Sequence, residues 1–265
     1  MIEIRDAAPL DYAAFARLFP ALGPEFAVPD EAQWQGGMFA DAIVAEDGQG
    51  VAGYVLGVPF GTVGHVSQLV VDEGRRRAGL GRRLMAAMGE RLRARGCTSW
   101  QLNVKRENVA ACRLYEGLGF RHASTCSWIT LTSAIVETLP AAAVQARPID
   151  PADDAAIDRA FGLREGNMAW GRTFAGNVLH EVVDAAGVRQ GFGIYMQGTR
   201  FVVLLRLLRP DLLRPLLASF GAGATEDVRV AVEENDELRD VLLARGGRLD
   251  LETDRLVAPL AGAAR

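Results

Sequence analysis

Two hydrophobic periods alternate along the first half of the chain. Short apolar or alternating runs predict strands at residues 2–5, 42–46, 51–58, 66–71, 98–104 and 121–131. Apolar positions at helical spacing predict helices at residues 9–19, 80–92 and 108–116. The tripeptide Pro29-Asp30-Glu31 has the form of a further helix start, with acids in the first turn. This interleaving of strands and helices predicts an α/β (α+β) fold.

The stretch from residue 66 to residue 92 is the centre of this pattern. The apolar strand Val66 to Val71 is followed by residues 72–79, which hold three adjacent arginines and which we call the arginine–glycine loop. Gly79-Leu80-Gly81 then opens a helix. The apolar face of that helix repeats every fourth residue, at Leu80, Leu84, Met88 and Leu92.

The first N–H groups of a helix lack intrahelical partners, and glycine and arginine beside them favour a bound phosphate. The alternative is a helix that merely follows a strand and carries a solvated basic face. No Gly-Lys-Ser or Gly-Lys-Thr is present, and Leu84 stands where a dinucleotide fingerprint needs its third glycine. The loop is therefore neither of these two nucleotide motifs.

Length and charge narrow the class of protein. The chain has 265 residues, a formal charge of −4 and 49% hydrophobic residues, enough for one large domain or two modest ones. No apolar stretch reaches the roughly 18 residues of a membrane span, and the N-terminus lacks a signal pattern. Interleaved acids and a net negative charge do not indicate nucleic-acid binding. We expect a cytoplasmic protein that binds neither membrane nor nucleic acid. Lys105 is the only lysine, a composition that points to a GC-rich bacterial genome.

Cysteine and histidine spacing predicts no metal site. The three cysteines are not spaced as metal ligands, which favours reduced structural thiols over a catalytic cysteine; they are Cys97, Cys112 and Cys126. The three histidines are scattered without a metal-binding signature; they are His65, His122 and His180.

The second half of the chain repeats the plan of the first. Residues 146–153 resemble residues 4–11, and Glu234-Asn235 falls opposite Glu107-Asn108. This predicts domains at residues 1–138 and 143–265, joined by a linker or connecting turn within residues 134–146. Residues 201–208 match the central strand and 212–220 its helix.

The second copy departs from the first at its chemical positions. Arg209-Pro210-Asp211 replaces the arginine–glycine loop, and Leu242 stands where Tyr115 would be. We expect the second copy to lack a phosphate cradle.

Two motifs in order carry a family resemblance. Arg76-x-x-Gly79-x-Gly81 is followed, after one strand, by Asn108-x-x-Ala111-x-x-Leu114-Tyr115-x-x-x-Gly119-Phe120. Together they resemble the GNAT superfamily of acyl-CoA N-acyltransferases over residues 2–133. The second half resembles a degenerate GNAT-like domain. The resemblance implies two tandem GNAT-like domains, each with a mixed, mostly antiparallel central sheet flanked by helices.

The resemblance also implies a cofactor site and a general acid. Acetyl-CoA would be the co-substrate, without a metal. The positions that match the family's cofactor contacts are Leu69, Val70, Val71, Arg76, Arg77, Ala78, Gly79, Leu80, Gly81, Arg82, Asn108 and Ala111. The Arg77 and Arg82 side chains are either phosphate contacts or solvated, and Asn108 is either a cofactor contact or a helix cap only. Tyr115 matches the tyrosine that protonates the CoA thiolate; the alternative is a core tyrosine.

Two functions fit this resemblance. The first is an acetyl-CoA-dependent N-acetyltransferase (EC 2.3.1.-) that acts on a small-molecule or peptide amine, with the second domain shaping the amine site. The second is a non-catalytic acyl-CoA-binding regulatory or interaction module. The oligomer is a monomer, with the two halves as a pseudo-dimer, or a homodimer.

The acceptor and the general base stay open at this point. Gln68 cannot accept a proton, and four residues are base candidates by position alone: Glu25, Asp30, Glu31 and His65. Four aromatic residues face either the cleft that would hold the amine or the core: Trp34, Phe39, Trp170 and Phe174.

Overall fold

The computed structural model describes residues 2–23 and 27–260, and its residues form two compact units. The first unit comprises Met1–Ala123 and Arg255–Arg265, and the second comprises Ser124–Asp254. These limits differ from the predicted domain boundaries at residues 138 and 143. The reason is that Arg121–Leu131 runs from the first unit into the second, whereas Arg248–Pro259 runs from the second into the first.

Strands and helices alternate through both units. The strands are β1 Glu3–Asp6, β2 Ala42–Asp47, β3 Gly50–Phe60, β4 Val63–Val71, β5 Ser99–Lys105, β6 Arg121–Leu131, β7 Gln145–Pro148, β8 Asn177–Val183, β9 Arg189–Met196, β10 Phe201–Leu207, β11 Val228–Glu233 and β12 Arg248–Pro259. The helices are α1 Tyr12–Leu18, α2 Glu31–Gln35, α3 Leu80–Ala94, α4 Val109–Glu116, α5 Ser133–Thr138, α6 Asp154–Ala160, α7 Asn167–Arg172, α8 Leu213–Phe220 and α9 Asp236–Ala244. Among the helices of the described ranges, none combines the length and apolar character that crossing a membrane requires.

The sheet of the first unit has the strand order β1-β2-β3-β4-β5, with the end of β12 beside β5. The pairs from β1 to β4 are antiparallel, whereas β4 and β5 are parallel. The four-residue repeat of α3 buries Leu84, Met88 and Leu92 in a core on one face of this sheet. On the other face, Phe15 and Trp34 pack in a second core beside α1 and α2.

The second unit repeats this topology. Its strand order is β7-β8-β9-β10-β11-β6, and β10 and β11 form its parallel pair. Helix α8 follows β10 as α3 follows β4, and Leu213, Leu216 and Leu217 of α8 are buried in its core. The predicted fold, a mixed and mostly antiparallel sheet flanked by helices in each half, is present in both units.

One predicted segment is wrong. Residues 134–146 are expected to be a linker or connecting turn, but Ser133–Thr138 is the helix α5. The hydroxyl of Thr132 accepts a hydrogen bond from the Ile135 N–H and so caps the helix start. Val136 and Leu139 are buried in the core of the second unit, so burial of apolar side chains stabilises a segment that looks like a linker by composition.

Candidate active site

Strand β4 of the first unit contains a β-bulge where its pairing with the parallel strand β5 ends. The register of β3 with β4 shifts between Leu56, which faces Gln68, and Gly57, which faces Val66. Ser67 is therefore the extra residue of β4. Pairing of β4 with β5 runs only as far as Val66 opposite Leu102. Beyond that point the two strands diverge, and we call this divergence the splay.

The arginine–glycine loop leads from the end of β4 to the start of α3. Its backbone has positive φ at Arg77 (68°) and at Gly79 (76°), and Gly79 is the N-cap of α3. Apart from its neighbours in the chain, no atom of the described residues lies within 4 Å of the position that a Cβ on Gly79 would occupy. Such a Cβ on Gly81 would lie 3.1 Å from Cδ2 of Leu114. The structure therefore opens the backbone at Gly79 to a ligand and packs Gly81 tightly against α4.

Most arginines of this region are bound to the protein itself. Arg76 Nε donates to the carbonyl of Val71 at 3.2 Å, and Arg82 Nη1 donates to the carbonyl of Gly117 at 3.0 Å. The exposed Arg77 has no hydrogen-bond or ion-pair partner within the described ranges. The sequence leaves open whether Arg77 and Arg82 contact a phosphate. In the structure, Arg82 links α3 to the end of α4, whereas the Arg77 side chain is available to bind an anion.

The three predicted strand positions divide between the two faces of the sheet. Leu69 and Val71 pack against the core beneath α3, whereas Val70 is buried in the core beside α1 and α2. All three follow the last paired residue of β4 toward β5, so their backbone lies along the splay. Ala78 is exposed and Leu80 is buried at the start of α3.

Helix α4 carries the remaining predicted residues, and it contacts the start of α3 through Leu114. Asn108 is its N-cap, and its Oδ1 accepts a hydrogen bond from the Ala111 N–H at 3.1 Å. Tyr115 is 7% exposed and its ring contacts Phe120 edge-on at 5.8 Å. Burial, together with the nearby Cys112, raises the pKa of Tyr115 to about 12. The phenol therefore stays protonated across the physiological pH range.

The candidates for a general base have diverse surroundings. Asp30 caps α2 by accepting a hydrogen bond from the Gln33 N–H at 2.8 Å. The carboxylate of Glu31 accepts a hydrogen bond from Gln35. His65 lies on β4, two residues before the bulge at Ser67. Glu25 lies outside the described residues.

The four aromatic residues separate by burial. Trp34 is fully buried (0% exposed), stacks on Phe15 at 4.6 Å and donates from its indole N–H to the carbonyl of Pro9. It is therefore a core residue, because α2 packs its apolar side onto the sheet. Phe39 is partly buried beside it, and Trp170 and Phe174 are more than 40% exposed on the second unit.

One contact at the splay is absent from the sequence-based site. The hydroxyl of Tyr54, on β3, donates a hydrogen bond to Oε1 of Gln68 at 2.9 Å. Tyr54 is 1% exposed. No sequence motif predicts this pair, because the contact depends on the register of β3 with the bulged strand β4.

The second unit keeps the bulge and the divergence of strands but closes the gap with side chains. Its register shifts between Val202 and Leu204, and pairing of β10 with β11 runs only to Val202 opposite Val230. Past that point, Arg206 Nη2 on β10 lies 2.8 Å from Oε2 of Glu233 on β11. Where the first unit has the arginine–glycine loop, the second has a short turn at Pro210–Leu212.

Residues 12–120 match the family model described as the Acetyltransferase (GNAT) family. The match therefore lies in the first half of the chain and identifies a GNAT-like domain there. Solved GNAT structures also resemble the chain over nearly its whole length. A GCN5-related N-acetyltransferase from Sphaerobacter thermophilus is 18% identical, with a TM-score of 0.69, and the match covers 98% of this chain and 96% of that one.

Two further structures extend the likeness. A tandem GNAT protein from the clavulanic acid biosynthesis pathway is 19% identical, with a TM-score of 0.66 and coverage of 99% of this chain and 100% of that one. A putative acetyltransferase from Pyrococcus horikoshii is 15% identical, with a TM-score of 0.74 and coverage of 97% and 89%. At these identities the likeness shows the fold, and it confirms the predicted tandem GNAT-like arrangement.

Groups of metal-ligating side chains are absent from the described part of the chain. Within residues 2–23 and 27–260, no three His, Cys, Asp or Glu side chains come together in a way that could hold a metal ion.

Proposed function

We propose that the first unit transfers an acetyl group from acetyl-CoA to a primary amine. The observation that carries this proposal is the splay of β4 and β5, which leads directly to an arginine–glycine loop with an open backbone at Gly79. A GNAT domain supplies the reaction class, and the chain's own residues supply the site.

The residues of the loop fit a pyrophosphate. Positive φ at Arg77 and Gly79 turns the loop backbone into the start of α3, whose unpaired N–H groups favour an anion. Arg77 adds a guanidinium with no protein partner in the described ranges. The backbone of Leu69, Val70 and Val71, unpaired toward β5, fits the amides of the pantetheine arm. Asn108 and Ala111 belong to the α4 start in the same unit.

Tyr115 supplies the proton for the leaving group. The amine nitrogen forms a bond to the thioester carbon, the carbon–sulfur bond breaks, and the electron pair leaves with sulfur. A thiol has an ordinary pKa of about 8.5, so a buried phenol with a pKa of about 12 is protonated when the thiolate forms. Tyr115 donates a hydrogen bond and then its proton to sulfur as it departs, CoA leaves as the thiol, and the phenolate takes a proton back from solvent. The proton lost by the amine passes to a base that the structure leaves unassigned.

Calorimetric titration with acetyl-CoA tests the site. Gly79→Asn keeps a residue that tolerates positive φ but adds a side chain where the ligand would lie. Gly162→Asn in the second unit is the matched control, since Gly162 has φ of +63° and open space around it. We expect wild type and Gly162→Asn to bind acetyl-CoA alike, and Gly79→Asn to bind at least tenfold more weakly. Equal binding by both variants would contradict the proposed site.

A CoA-release assay with a panel of amines then separates the two functions. Release of free thiol that depends on an amine supports the transferase. Binding of acetyl-CoA without turnover of any amine would favour the alternative, an acyl-CoA-binding regulatory module. No binding by the wild type would overturn both.

A further inference from the structure

The residue of interest is Gln68, which lies where the splay begins. In a regular strand, side chains two positions apart share a face. Val66 packs in the core beneath α3, whereas Gln68 contacts Tyr54 and Val70 packs in the core beside α1 and α2. The bulge at Ser67 therefore moves Gln68 to the face opposite α3.

Gln68 also marks the end of the splay remote from the arginine–glycine loop. The loop follows Val71, and the chain runs back from it through Val70 and Leu69 to Gln68, just past the last paired residue, Val66. A cofactor with its pyrophosphate at the loop and its arm along Leu69 to Val71 carries its acyl end toward Gln68. This step rests on the proposed function.

The orientation of the Gln68 amide is fixed by Tyr54. The Tyr54 ring is held by Phe15 at 5.2 Å, and its hydroxyl donates to Oε1 of Gln68 at 2.9 Å. Burial raises the pKa of Tyr54 far above its ordinary value, so this hydroxyl remains a donor wherever the protein is folded. With this bond setting the direction of Oε1, the two N–H groups on Nε2 are the donors that the side chain can offer to a ligand.

An amide N–H binds oxygen and repels a cationic amine. A carboxylate at this position would attract an ammonium group by its charge and accept its proton, whereas the amide of Gln68 carries no charge and accepts no proton. We propose that Gln68 is a specificity-determining residue that selects acceptors with a carbonyl or carboxylate oxygen beside the reacting amine. The acceptor class is then the α-amino acyl group, of a free amino acid, its amide or a peptide N-terminus, rather than a simple alkylamine or polyamine.

Matched pairs of probes test this selection. Leucinamide with 3-methylbutylamine, phenylalaninamide with 2-phenylethylamine, and lysinamide with 1,5-diaminopentane each differ by one carboxamide group. The measured quantity is the ratio of kcat/KM within a pair. Comparing this ratio between wild type and variant cancels the intrinsic difference in amine pKa.

Three variants and one control give the expected pattern. Gln68→Leu removes both donors at similar size, and we expect it to lower the ratio about tenfold, the effect of losing one good hydrogen bond. Gln68→Glu should lower it further, since a carboxylate repels the acceptor oxygen. Tyr54→Phe, which removes only the positioning hydroxyl, should lower it about threefold. Gln145→Leu makes the same change at an exposed position of β7 and should leave it unchanged.

The outcomes separate this inference from the proposed function. The affinity for acetyl-CoA should stay within about twofold in Tyr54→Phe, which a general loss of structure would not allow. An unchanged ratio in Gln68→Leu overturns the inference, as does a wild type that acetylates other amines but neither member of any pair. Failure of the wild type to bind acetyl-CoA overturns the proposed function instead.

Discussion

Burial raises the pKa of two tyrosines in the first unit, but the two hydroxyls have different roles. Tyr54 and Tyr115 are both nearly inaccessible, and desolvation raises both pKa values because the phenolate is the charged form. The hydroxyl of Tyr54 donates a hydrogen bond to Gln68. Tyr115 belongs to α4, which packs against Gly81 through Leu114, and its proton is the one we propose for the leaving thiolate.

Removal of the Tyr115 hydroxyl tests the general acid. Tyr115→Phe should lower kcat about 10²–10³-fold, the usual contribution of a positioned proton donor. Its affinity for acetyl-CoA should change by less than about threefold, because the ring still packs on Phe120. Tyr195→Phe, at a buried tyrosine of the second unit, is the control for loss of a buried hydroxyl. Steady-state kinetics with both variants would contradict the assignment if Tyr115→Phe kept wild-type kcat.

The raised pKa of Tyr115 makes a separate prediction about pH. An acid is effective below its pKa, and the pKa of this phenol is about 12. Between pH 7 and pH 10, kcat should therefore show no decline that is due to Tyr115. A tyrosine with the ordinary pKa of about 10 would be half ionised at the upper end of that range. A pH profile of kcat at saturating substrates checks this, and a basic limb near pH 10 that disappears in Tyr115→Phe would contradict it.

At the scale of elements, the same device occurs once in each unit. A one-residue bulge precedes the divergence of two parallel strands, and an asparagine caps the helix that follows the second of them. Oδ1 of Asn108 accepts from the Ala111 N–H at 3.1 Å, and Oδ1 of Asn235 accepts from the Leu238 N–H at 3.0 Å. Comparing Asn108 with Asn235 therefore separates the contribution of an N-cap to stability from any contribution to ligand binding.

Substituting alanine at the two caps should affect stability in both cases but acetyl-CoA binding in only one. Asn108→Ala and Asn235→Ala should each lower the free energy of unfolding by about 1 kcal/mol, the usual cost of an N-cap. Only Asn108→Ala should also weaken acetyl-CoA binding, because the second unit lacks the loop. Chemical denaturation and calorimetry measure the two quantities. Unchanged acetyl-CoA affinity in Asn108→Ala would leave Asn108 as a helix cap only.

At the scale of the whole molecule, two copies of one fold have diverged in chemistry. The turn that replaces the loop in the second unit contains Pro210, and proline has no N–H to offer a phosphate. Across its diverging strands, the Arg206–Glu233 ion pair joins β10 to β11, and Oε1 of Glu233 also accepts from Ser124 at 2.9 Å. Asn235 donates to the carbonyl of Leu207 at 3.0 Å. These contacts fill the gap between the diverging strands of the second unit with the protein's own side chains.

The chain should consequently bind one acetyl-CoA, not two. Calorimetric titration of the wild type should give a stoichiometry of one per chain. Leu242→Tyr, which restores the second unit's tyrosine at the position of Tyr115, should leave that stoichiometry at one, because the loop rather than the tyrosine holds the phosphates. A stoichiometry of two would show that the second unit also binds the cofactor.

Much of this site could be predicted from the chain alone, since its signals are local. Gly79 and Gly81 mark the start of α3, and the four-residue spacing of Leu84, Met88 and Leu92 defines its buried face. Asn108 and the glycines after α4 delimit the next helix. The absence of the loop from the second copy is likewise visible in Arg209-Pro210-Asp211. Each of these features depends on residues within a turn or two of one another, where helix and turn propensities act.

The remaining features depend on strand register and on packing between distant segments. The bulge at Ser67 turns Gln68 toward Tyr54, which lies fourteen positions earlier in the chain. No local sequence pattern encodes which residue of β3 faces which residue of β4. The same holds for the Arg206–Glu233 pair and for the burial of Trp34 and α5. The sequence by itself determined the elements, the repeat and the loop, because backbone preferences are local. Only the tertiary structure decided which side chains meet at the splay, because a one-residue shift in register moves every following side chain to the opposite face.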